Sequence, residues 1–194
     1  MKLIRCEWAN KASFQDYHDK EWGVPVHEDK HLFEMLILEG AQAGLSWDTI
    51  LKRRDTYRKA YKNFNPKIIA EFTEVDKNRL LSDKGVIRNK LKIKASIINA
   101  KHFLEIQKEY GSFSKYIWSF TNNQVINHKI KKISDILPNN KLSNTISNDL
   151  KERGFKFVGS TIIYAYLEAI GIINDHEISC FRYSQINKLK FSGL

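Results

Sequence analysis

Cysteine, proline and glycine are scarce in this sequence: its 194 residues include two cysteines, three prolines and nine glycines. With so little glycine and proline, and with 12% aromatic residues, the chain does not fit the disordered class. Its apolar runs, such as MLIL at 35–38, are far too short to span a bilayer. The first residues, MKLIRCEWANK, lack the apolar region of a secretory signal, so we expect a cytoplasmic protein with no membrane partner.

The chain does have enough apolar residues for a core, and an excess of positive charge. Hydrophobic residues make up 42%, sufficient for one domain or for two small lobes that share a core. Lys and Arg number 32 against 22 Asp and Glu, which gives a net charge of +10. This excess indicates a polyanionic partner, most simply a nucleic acid, although a merely basic surface is the alternative.

Helical periodicity dominates the sequence. Apolar residues recur at steps of four, three and four in two stripes, which are Ile93, Ile97, Ala100, Leu104 and Val158, Ile162, Ala165, Ala169. Both stripes predict amphipathic helices packed on a core. Asn65 followed by Pro66 is a typical helix start, with the Asn as N-cap. Further helices are predicted over 29–40, 45–62, 76–82, 113–121 and 142–153.

Strand signals are weak, and the best candidate is the short QVINHKI at 124–130. The polar segment 122–141, around Pro138, reads as a long connection and not as a domain boundary. We therefore predict an all-α protein that forms a single unit over 1–194. Its end segments, 1–28 and 172–194, meet beside a helical core at 29–171.

Four potential metal ligands lie near the two ends of the chain: Cys6, His18, His176 and Cys180. The second pair has i, i+4 spacing, which places both side chains on one helical face or around one tight turn. Two cysteines and two histidines suit a tetrahedral structural zinc ion, with no position left for a catalytic water. The alternative is that these side chains are simply packed or solvated, because the spacing of the first pair matches no common zinc-finger pattern.

Glu39 ends an apolar run and lies in aromatic company. The neighbouring rings are Trp8, Phe14, Tyr17, Trp22 and Trp47. A solvated glutamate and core aromatics are the default interpretation. An aromatic slot with one carboxylate, however, is also what a flipped, cationic base would need, since rings stack on its faces and the anion accepts hydrogen bonds from its edge.

Two turns are candidates for DNA contact. The turn with Gln42, Gly44 and Leu45 could push one apolar side chain into a base stack, although a plain helix–helix turn is the alternative. Gly154 and Gly159 bracket a second turn, before a helix whose free N–H groups could bind phosphate. Nearby basic residues would add counter-charge, and these are Lys151, Arg153 and Lys156.

Longer motifs resemble the family of DNA-3-methyladenine glycosylases I, within the helix-hairpin-helix superfamily of DNA glycosylases. The resemblance covers most of the chain and is carried by YHDKEWGVP (17–25), LFEMLILEGAQAGLSWDTILKRR (32–54), VIRNKLKI (86–93), SFSKYIWSF (112–120), RGFKFVGSTIIYAYLEAIGIINDH (153–176) and Cys180. Segment 122–142 and the tail 181–194 match poorly, so no role is carried onto them.

The resemblance implies a role for each candidate residue. Glu39 would be the catalytic-site carboxylate that contacts the alkylated adenine, with Trp47 as the stacking partner. The other pocket residues would be Trp8, Phe14, Tyr17 and Trp22; the DNA-binding residues would be Gln42, Gly44, Leu45, Gly154, Lys156 and Gly159. One structural Zn²⁺ per chain would bind Cys6, His18, His176 and Cys180. Phe14 departs from the family, where tyrosine is expected.

The implied activity is DNA repair by base excision. The enzyme would flip 3-methyladenine out of double-stranded alkylated DNA and hydrolyse the N-glycosidic bond, leaving an abasic site. It would act as a monomer on the DNA of a bacterial nucleoid. The family lacks the aspartate that the superfamily places near the sugar, and we do not assign Asp175 to that role, because it adjoins the predicted ligand His176.

Three other functions remain open from the residues alone. A non-catalytic DNA-binding module would leave Glu39 and its aromatic company unexplained. A glycosylase of different base specificity would keep the same pocket residues. A zinc hydrolase is disfavoured, because four protein ligands close the metal site.

Overall fold

The computed structural model describes residues 3–189. The predicted single unit also includes 1–2 and 190–194, which lie outside the described residues. Eleven α-helices occur in the described part of the chain: α1 Ala12–Lys20, α2 Asp29–Gln42, α3 Trp47–Leu51, α4 Arg54–Ala60, α5 Pro66–Ala70, α6 Glu74–Ser82, α7 Lys90–Tyr110, α8 Phe113–Ser119, α9 Lys141–Glu152, α10 Ser160–Ala169 and α11 Phe181–Asn187. The predicted all-α class is confirmed.

Local sequence explains where most of these helices begin. The Asn65 side chain accepts from the backbone N–H groups of Lys67 and Ile68, and Pro66 follows it as the first residue of α5, as predicted. Asn89 caps α7 in the same way. Gly111, with a φ of 84°, ends α7, because glycine adopts the left-handed conformation without steric cost.

The predicted helix over 45–62 is wrong as one element, because the chain forms α3 and α4 with a turn at 52–53 between them. Ser46 accepts from the N–H of Thr49 and fixes the start of α3 at Trp47. The second predicted stripe begins before its helix, since Val158 is buried in the turn that precedes α10. In the first stripe, Ile93, Ile97 and Ala100 are buried as expected.

Helix α2 runs through the centre of the molecule, and every residue from Leu32 to Ala41 is buried. It packs against α7, α8 and α10, while α5 and α6 pack on α7. Asp29 at the start of α2 accepts from the backbone N–H groups of Phe113 and Ser114, at 2.8 Å each, and so joins α2 to α8. This central position means that any polar side chain on α2 is placed inside the protein.

The two ends of the chain contact each other. The N–H of Phe181 donates to the carbonyl of Ile4 at 2.9 Å, and the N–H of Glu177 donates to Sγ of Cys6 at 3.3 Å. One short strand, β1 Ile126–Asn127, lies in the connection 122–141 and inside the strand candidate 124–130. It pairs in parallel with β2 Ile173–Asn174. None of the helices formed by residues 3–189 is long and apolar enough to cross a membrane.

Candidate active site and metal cluster

A solvent-open cavity of about 460 Å³ lies between α1, α2, α3 and α10. Its walls are mostly apolar and aromatic, with two carboxyl groups among them. The lining residues are Trp8, Tyr17, Trp22, Glu39, Gln42, Trp47, Ile133, Ile136, Leu137, Pro138, Ala165 and Glu168. The structure therefore brings four of the five predicted pocket aromatics and Glu39 to one cavity.

Glu39 is buried at the inner end of this cavity, with 4% of its surface exposed. Its position on the buried helix α2 removes the side chain from bulk water, and this desolvation raises the pKa of the carboxyl to about 8. The group is therefore mostly protonated at neutral pH while the cavity holds no cation. A carboxyl with a pKa raised by burial, placed in a cleft, is typical of a functional site.

The aromatic rings form two sides of the cavity. Tyr17 and Trp47 lie with ring centroids 5.4 Å apart, and Trp8 meets Trp22 edge to face at 4.9 Å. Tyr17 and Trp22 are buried, whereas Trp47 is only half-buried, so its ring is accessible from the opening. Nε1 of Trp47 is buried and has no hydrogen-bond partner within the described chain.

Phe14 does not line the cavity as predicted. It lies one helical turn before Tyr17 on α1 and packs edge to face against Trp8, with centroids 5.7 Å apart. The amine of Lys11 covers its ring at 5.5 Å. Phe14 is half-buried and therefore adjoins the cavity only through its contact with Trp8.

Two parts of the cavity lining were not predicted from the sequence: one apolar wall and one carboxyl group. The wall comes from the connection 122–141 and consists of Ile133, Ile136, Leu137 and Pro138. The available signal was the apolar spacing in ISDILP within an otherwise polar segment. The carboxyl is Glu168, an acid inside the apolar helix α10, where the helical pattern alone predicts a buried position.

The predicted metal ligands come from the two chain ends and meet behind the aromatic rings. Ligand atoms of Cys6, His18 and Cys180 all lie within 4.8 Å of one another, and Sγ of Cys180 is 3.5 Å from Nε2 of His18. The fourth predicted ligand, His176, is outside this group of three, but its ring is 5.1 Å from that of His18. Its Nε2 is buried and has no partner among residues 3–189.

The chemistry of these four side chains fits a metal ion. The hydrogen bond between the two thiols lowers the pKa of Cys180 and raises that of Cys6, so one of the two is readily a thiolate, while burial lowers the pKa of His176 to about 3. Thiolate and neutral imidazole are the forms that bind metals. Each histidine is also oriented through its other nitrogen: His18 Nδ1 contacts Asp19 at 2.8 Å, and His176 Nδ1 contacts Asn174 at 2.9 Å.

The predicted metal ligands His18 and His176 directly support the aromatic wall of the cavity. The ring of Trp22 lies 4.6 Å from that of His176 and stacks at 6.1 Å on that of His18. Trp8 also contacts His18, with centroids 5.3 Å apart. The positions of both tryptophans therefore depend on the same side chains that would hold a metal.

The first candidate DNA-contacting turn follows α2 at the edge of the cavity. Gln42 lines the cavity, Gly44 has a φ of 75°, and Leu45 is 40% exposed. Nζ of Lys92, on α7, donates to the carbonyls of Ala41 at 2.9 Å and Ala43 at 2.6 Å. Lys92, which the sequence analysis did not identify, thus holds the end of α2 and the turn from outside.

The second turn joins α9 to α10. Gly154 has a φ of 95°, a conformation that favours glycine, and a Cβ there would also meet the ring of His102 at 2.5 Å. A Cβ on Gly159 would meet nothing within 4 Å, which leaves open space before the free N–H groups that begin α10. Asn99 of α7 bonds to both the N–H and the carbonyl of Lys156, at 2.8 and 2.9 Å.

The guanidinium of Arg153, expected to supply counter-charge for phosphate, is already paired with carboxylates of this chain. It pairs with Glu109 at 2.7 Å and with Asp149 at 2.9 Å. Lys151 and Lys156 are exposed beside the same turn. The two lysines therefore remain the better candidates for phosphate contact.

Comparison with known proteins gives consistent matches over almost the whole chain. Residues 8–183 match the methyladenine glycosylase family. DNA-3-methyladenine glycosylase 1 of Escherichia coli (strain K12) is 43% identical over 182 residues, which is 93% of this chain and 97% of that protein. A crystal structure of 3-methyladenine DNA glycosylase I superposes with a TM-score of 0.88 at 42% identity, covering 92% of this chain and 98% of the other.

A second solved structure concerns base recognition directly. It describes the structural basis of 3-methyladenine recognition by 3-methyladenine DNA glycosylase I from Staphylococcus aureus. That structure superposes with a TM-score of 0.88 at 34% identity and covers 92% of this chain and 96% of the other.

Proposed function

The chain belongs to the methyladenine glycosylase family, and from this premise we propose that it is a DNA repair enzyme that excises 3-methyladenine from alkylated DNA. It hydrolyses the N-glycosidic bond and leaves an abasic site. The observation that carries the proposal is the buried carboxyl of Glu39 inside a solvent-open aromatic cavity. A flipped cationic base needs both features, since rings stack on its faces and a carboxylate accepts from its edge.

Methylation at N3 makes the base cationic while it is attached to the sugar, so the base is already a good leaving group. Entry of this cation offsets the desolvation that raises the pKa of Glu39, and the carboxyl then ionises. When the C1′–N9 bond breaks, its electron pair neutralises the base. Water then adds to C1′ of the oxocarbenium-like sugar and loses one proton to the solvent, which leaves the abasic sugar. Glu39 binds the edge of the base and stabilises the positive charge in the transition state.

Double-stranded DNA is the proposed form of the substrate, and the two turns are the proposed contacts. Leu45, exposed on its glycine-containing turn, enters the base stack as Gln42 and Gly44 approach the lesion. The α9–α10 turn, bounded by Gly154 and Gly159, binds phosphate through the free N–H groups that begin α10 at Gly159, with Lys156 as counter-charge. Because this contact joins protein backbone to DNA phosphate, it does not depend on the base sequence of the DNA.

We propose that the cluster of Cys6, His18, His176 and Cys180 binds one structural Zn²⁺. The orphan Nε2 of His176 beside three mutually close ligand atoms supports this assignment. Four protein ligands leave no position for water, so the metal would stabilise the fold and take no part in catalysis. We further propose that the chain is a single unit, monomeric, that acts on DNA in the bacterial cytoplasm.

The test is base release. The purified protein is incubated with duplex DNA treated with a methylating agent, and the free bases are identified by chromatography. We expect release of 3-methyladenine with little 7-methylguanine. A folded protein that binds the DNA but releases no base would overturn the proposal and would favour a metal-containing DNA-binding module.

A further inference from the structure

The cavity contains a second buried carboxyl whose role the proposed function leaves unassigned. Glu168 lies on α10, lines the same cavity as Glu39, and has 8% of its surface exposed. Its Oε1 is buried and has no hydrogen-bond partner among residues 3–189. A buried polar atom without a partner is costly, and in a ligand cavity the missing partner is most simply the ligand.

The surroundings of Glu168 indicate which of its oxygens is available. Burial, followed by the charges of Asp175 and Glu39, raises the pKa of Glu168 well above its usual range. The side chain is thus a neutral acid that contacts Asp175 with one oxygen. Asp175 is itself held by Tyr164, whose hydroxyl donates at 2.5 Å, and by Nδ1 of His128 at 2.8 Å. This arrangement leaves Oε1 of Glu168 as a free acceptor.

We propose that Glu168 is a specificity-determining residue of the base pocket. Its Oε1 accepts a hydrogen bond from one N–H of the extrahelical purine, next to the N–H that donates to Glu39. This inference rests on the proposed function. The 6-amino group of an adenine offers two N–H donors, so one acceptor leaves a donor unpaired once the base fills the inner part of the cavity. Two acceptors on different helices, α2 and α10, pair both donors.

The same geometry disfavours a purine with an oxygen at C6. A 6-oxo group would bring a third acceptor towards Glu39, which is ionised beside the cationic base, and towards Oε1 of Glu168, whose proton is directed at Asp175. An unpaired acceptor in a desolvated pocket discriminates strongly between otherwise similar ligands. Glu168 therefore selects 3-methyladenine over 3-methylguanine, which has the same charge and the same methyl position.

The experiment compares three variants on one batch of alkylated duplex DNA that contains both bases. Glu168→Met removes the acceptor and nearly preserves side-chain volume. Glu168→Gln keeps a carbonyl in place of Oε1 and directs its amide towards Asp175, so it is the rescue variant. Tyr164→Phe disturbs the same Asp175 from outside the cavity, so it is the structural control.

For Glu168→Met we expect release of 3-methyladenine to fall about tenfold, and the ratio of released 3-methyladenine to 3-methylguanine to fall about tenfold, as expected for one lost hydrogen bond. Glu168→Gln and Tyr164→Phe should keep the wild-type ratio. Because both bases are released in one reaction, the ratio does not depend on how much variant protein is folded.

A wild-type ratio in Glu168→Met overturns the inference, as does a lowered ratio in Tyr164→Phe, which would show that the effect comes from the Asp175 network. The two proposals fail separately. Wild-type protein that releases no 3-methyladenine overturns the proposed function, whereas wild-type release with an unchanged ratio in Glu168→Met overturns only the role of Glu168.

Discussion

The base pocket and the two turns proposed to contact DNA are built in different ways. The pocket presents buried side chains from separate segments, such as Tyr17 of α1, Trp22 of the turn after α1 and Glu39 of α2. The turns are instead held through their backbone, each by one side chain of α7, Lys92 at the first turn and Asn99 at the second. The part proposed to distinguish bases therefore depends on side-chain chemistry, and the part proposed to hold DNA depends on the position of the backbone.

This difference predicts that changes to the two regions affect different quantities. A change in the pocket should alter the rate or selectivity of base release at saturating protein, with affinity for undamaged duplex retained. A change in the residues of α7 that hold the turns should lower that affinity, with the rate of excision retained once DNA is bound. Three experiments test the separation.

Metal removal should have the largest effect, and it should affect the pocket. Structural zinc sites contribute on the order of 10 kcal/mol of binding free energy that counts as folding free energy. The cluster supports Trp8 and Trp22, so we expect chelation, or Cys180→Ser, to abolish base release and sharply lower the melting temperature. Elemental analysis should find one zinc per chain, and added zinc should restore the chelated protein.

Zinc-free protein with the wild-type melting temperature and activity would contradict the assignment of this cluster. Loss of activity in a still fully stable protein would indicate a catalytic metal instead.

The pH dependence of stability is the second test of the pocket. Burial raises the pKa of Glu39 from 4.5 to about 8, so between these values the folded protein holds a proton that the unfolded chain has lost. The contribution of the neutral carboxyl is fully present below pH 4.5 and is lost as pH rises to about 8. We expect the loss of this contribution to lower the free energy of unfolding by about 2–4 kcal/mol across this window.

Denaturant unfolding of wild type and Glu39→Gln at pH 5 and pH 8 measures this contribution. Because the glutamine cannot ionise, the variant should gain stability relative to wild type as pH rises. Parallel stability curves for the two proteins would show that Glu39 is not desolvated in solution.

The smallest expected effect concerns the turns. Asn99→Ala removes the hydrogen bonds to the backbone N–H and carbonyl of Lys156, so the α9–α10 turn loses its fixed position. We expect about tenfold weaker binding to undamaged duplex, with an unchanged single-turnover excision rate at saturating protein. Ser96→Ala is the matched control, because the hydrogen bonds of the Ser96 hydroxyl go to the carbonyl of Ile93 and to the hydroxyl of Tyr61, not to the turn. A slower excision step in Asn99→Ala would break the separation between the regions.

The same contrast explains how much could be predicted from the sequence. Helix starts such as Asn65–Pro66 are local signals, and the structure agrees with them. The pocket aromatics and Glu39 were found from the family resemblance and from their clustering near one another in sequence. The prediction of one helix over 45–62 is wrong, because Ser46 caps a helix that begins at Trp47 and the turn at 52–53 interrupts it, whereas the sequence pattern is continuous across both.

The residues that sequence reasoning missed act only through tertiary contacts. Lys92 and Asn99 lie on a long helix among many polar residues, and nothing local marks the backbone groups that they bind. Glu168 lies in an apolar helix far in sequence from Glu39, and the wall at 133–138 belongs to a connection without a regular pattern. Such contacts depend on how helices pack, which periodicity alone does not determine.

The most direct test of the central claim is the single-turnover excision rate of Glu39→Gln on alkylated duplex at saturating protein. The glutamine preserves shape and removes the negative charge that Glu39 acquires beside a cationic base. We predict a rate about a hundredfold below wild type, as expected when charge stabilisation of a transition state is removed, with unchanged affinity for undamaged duplex. Full excision activity in this variant, with normal lesion binding, would contradict the account.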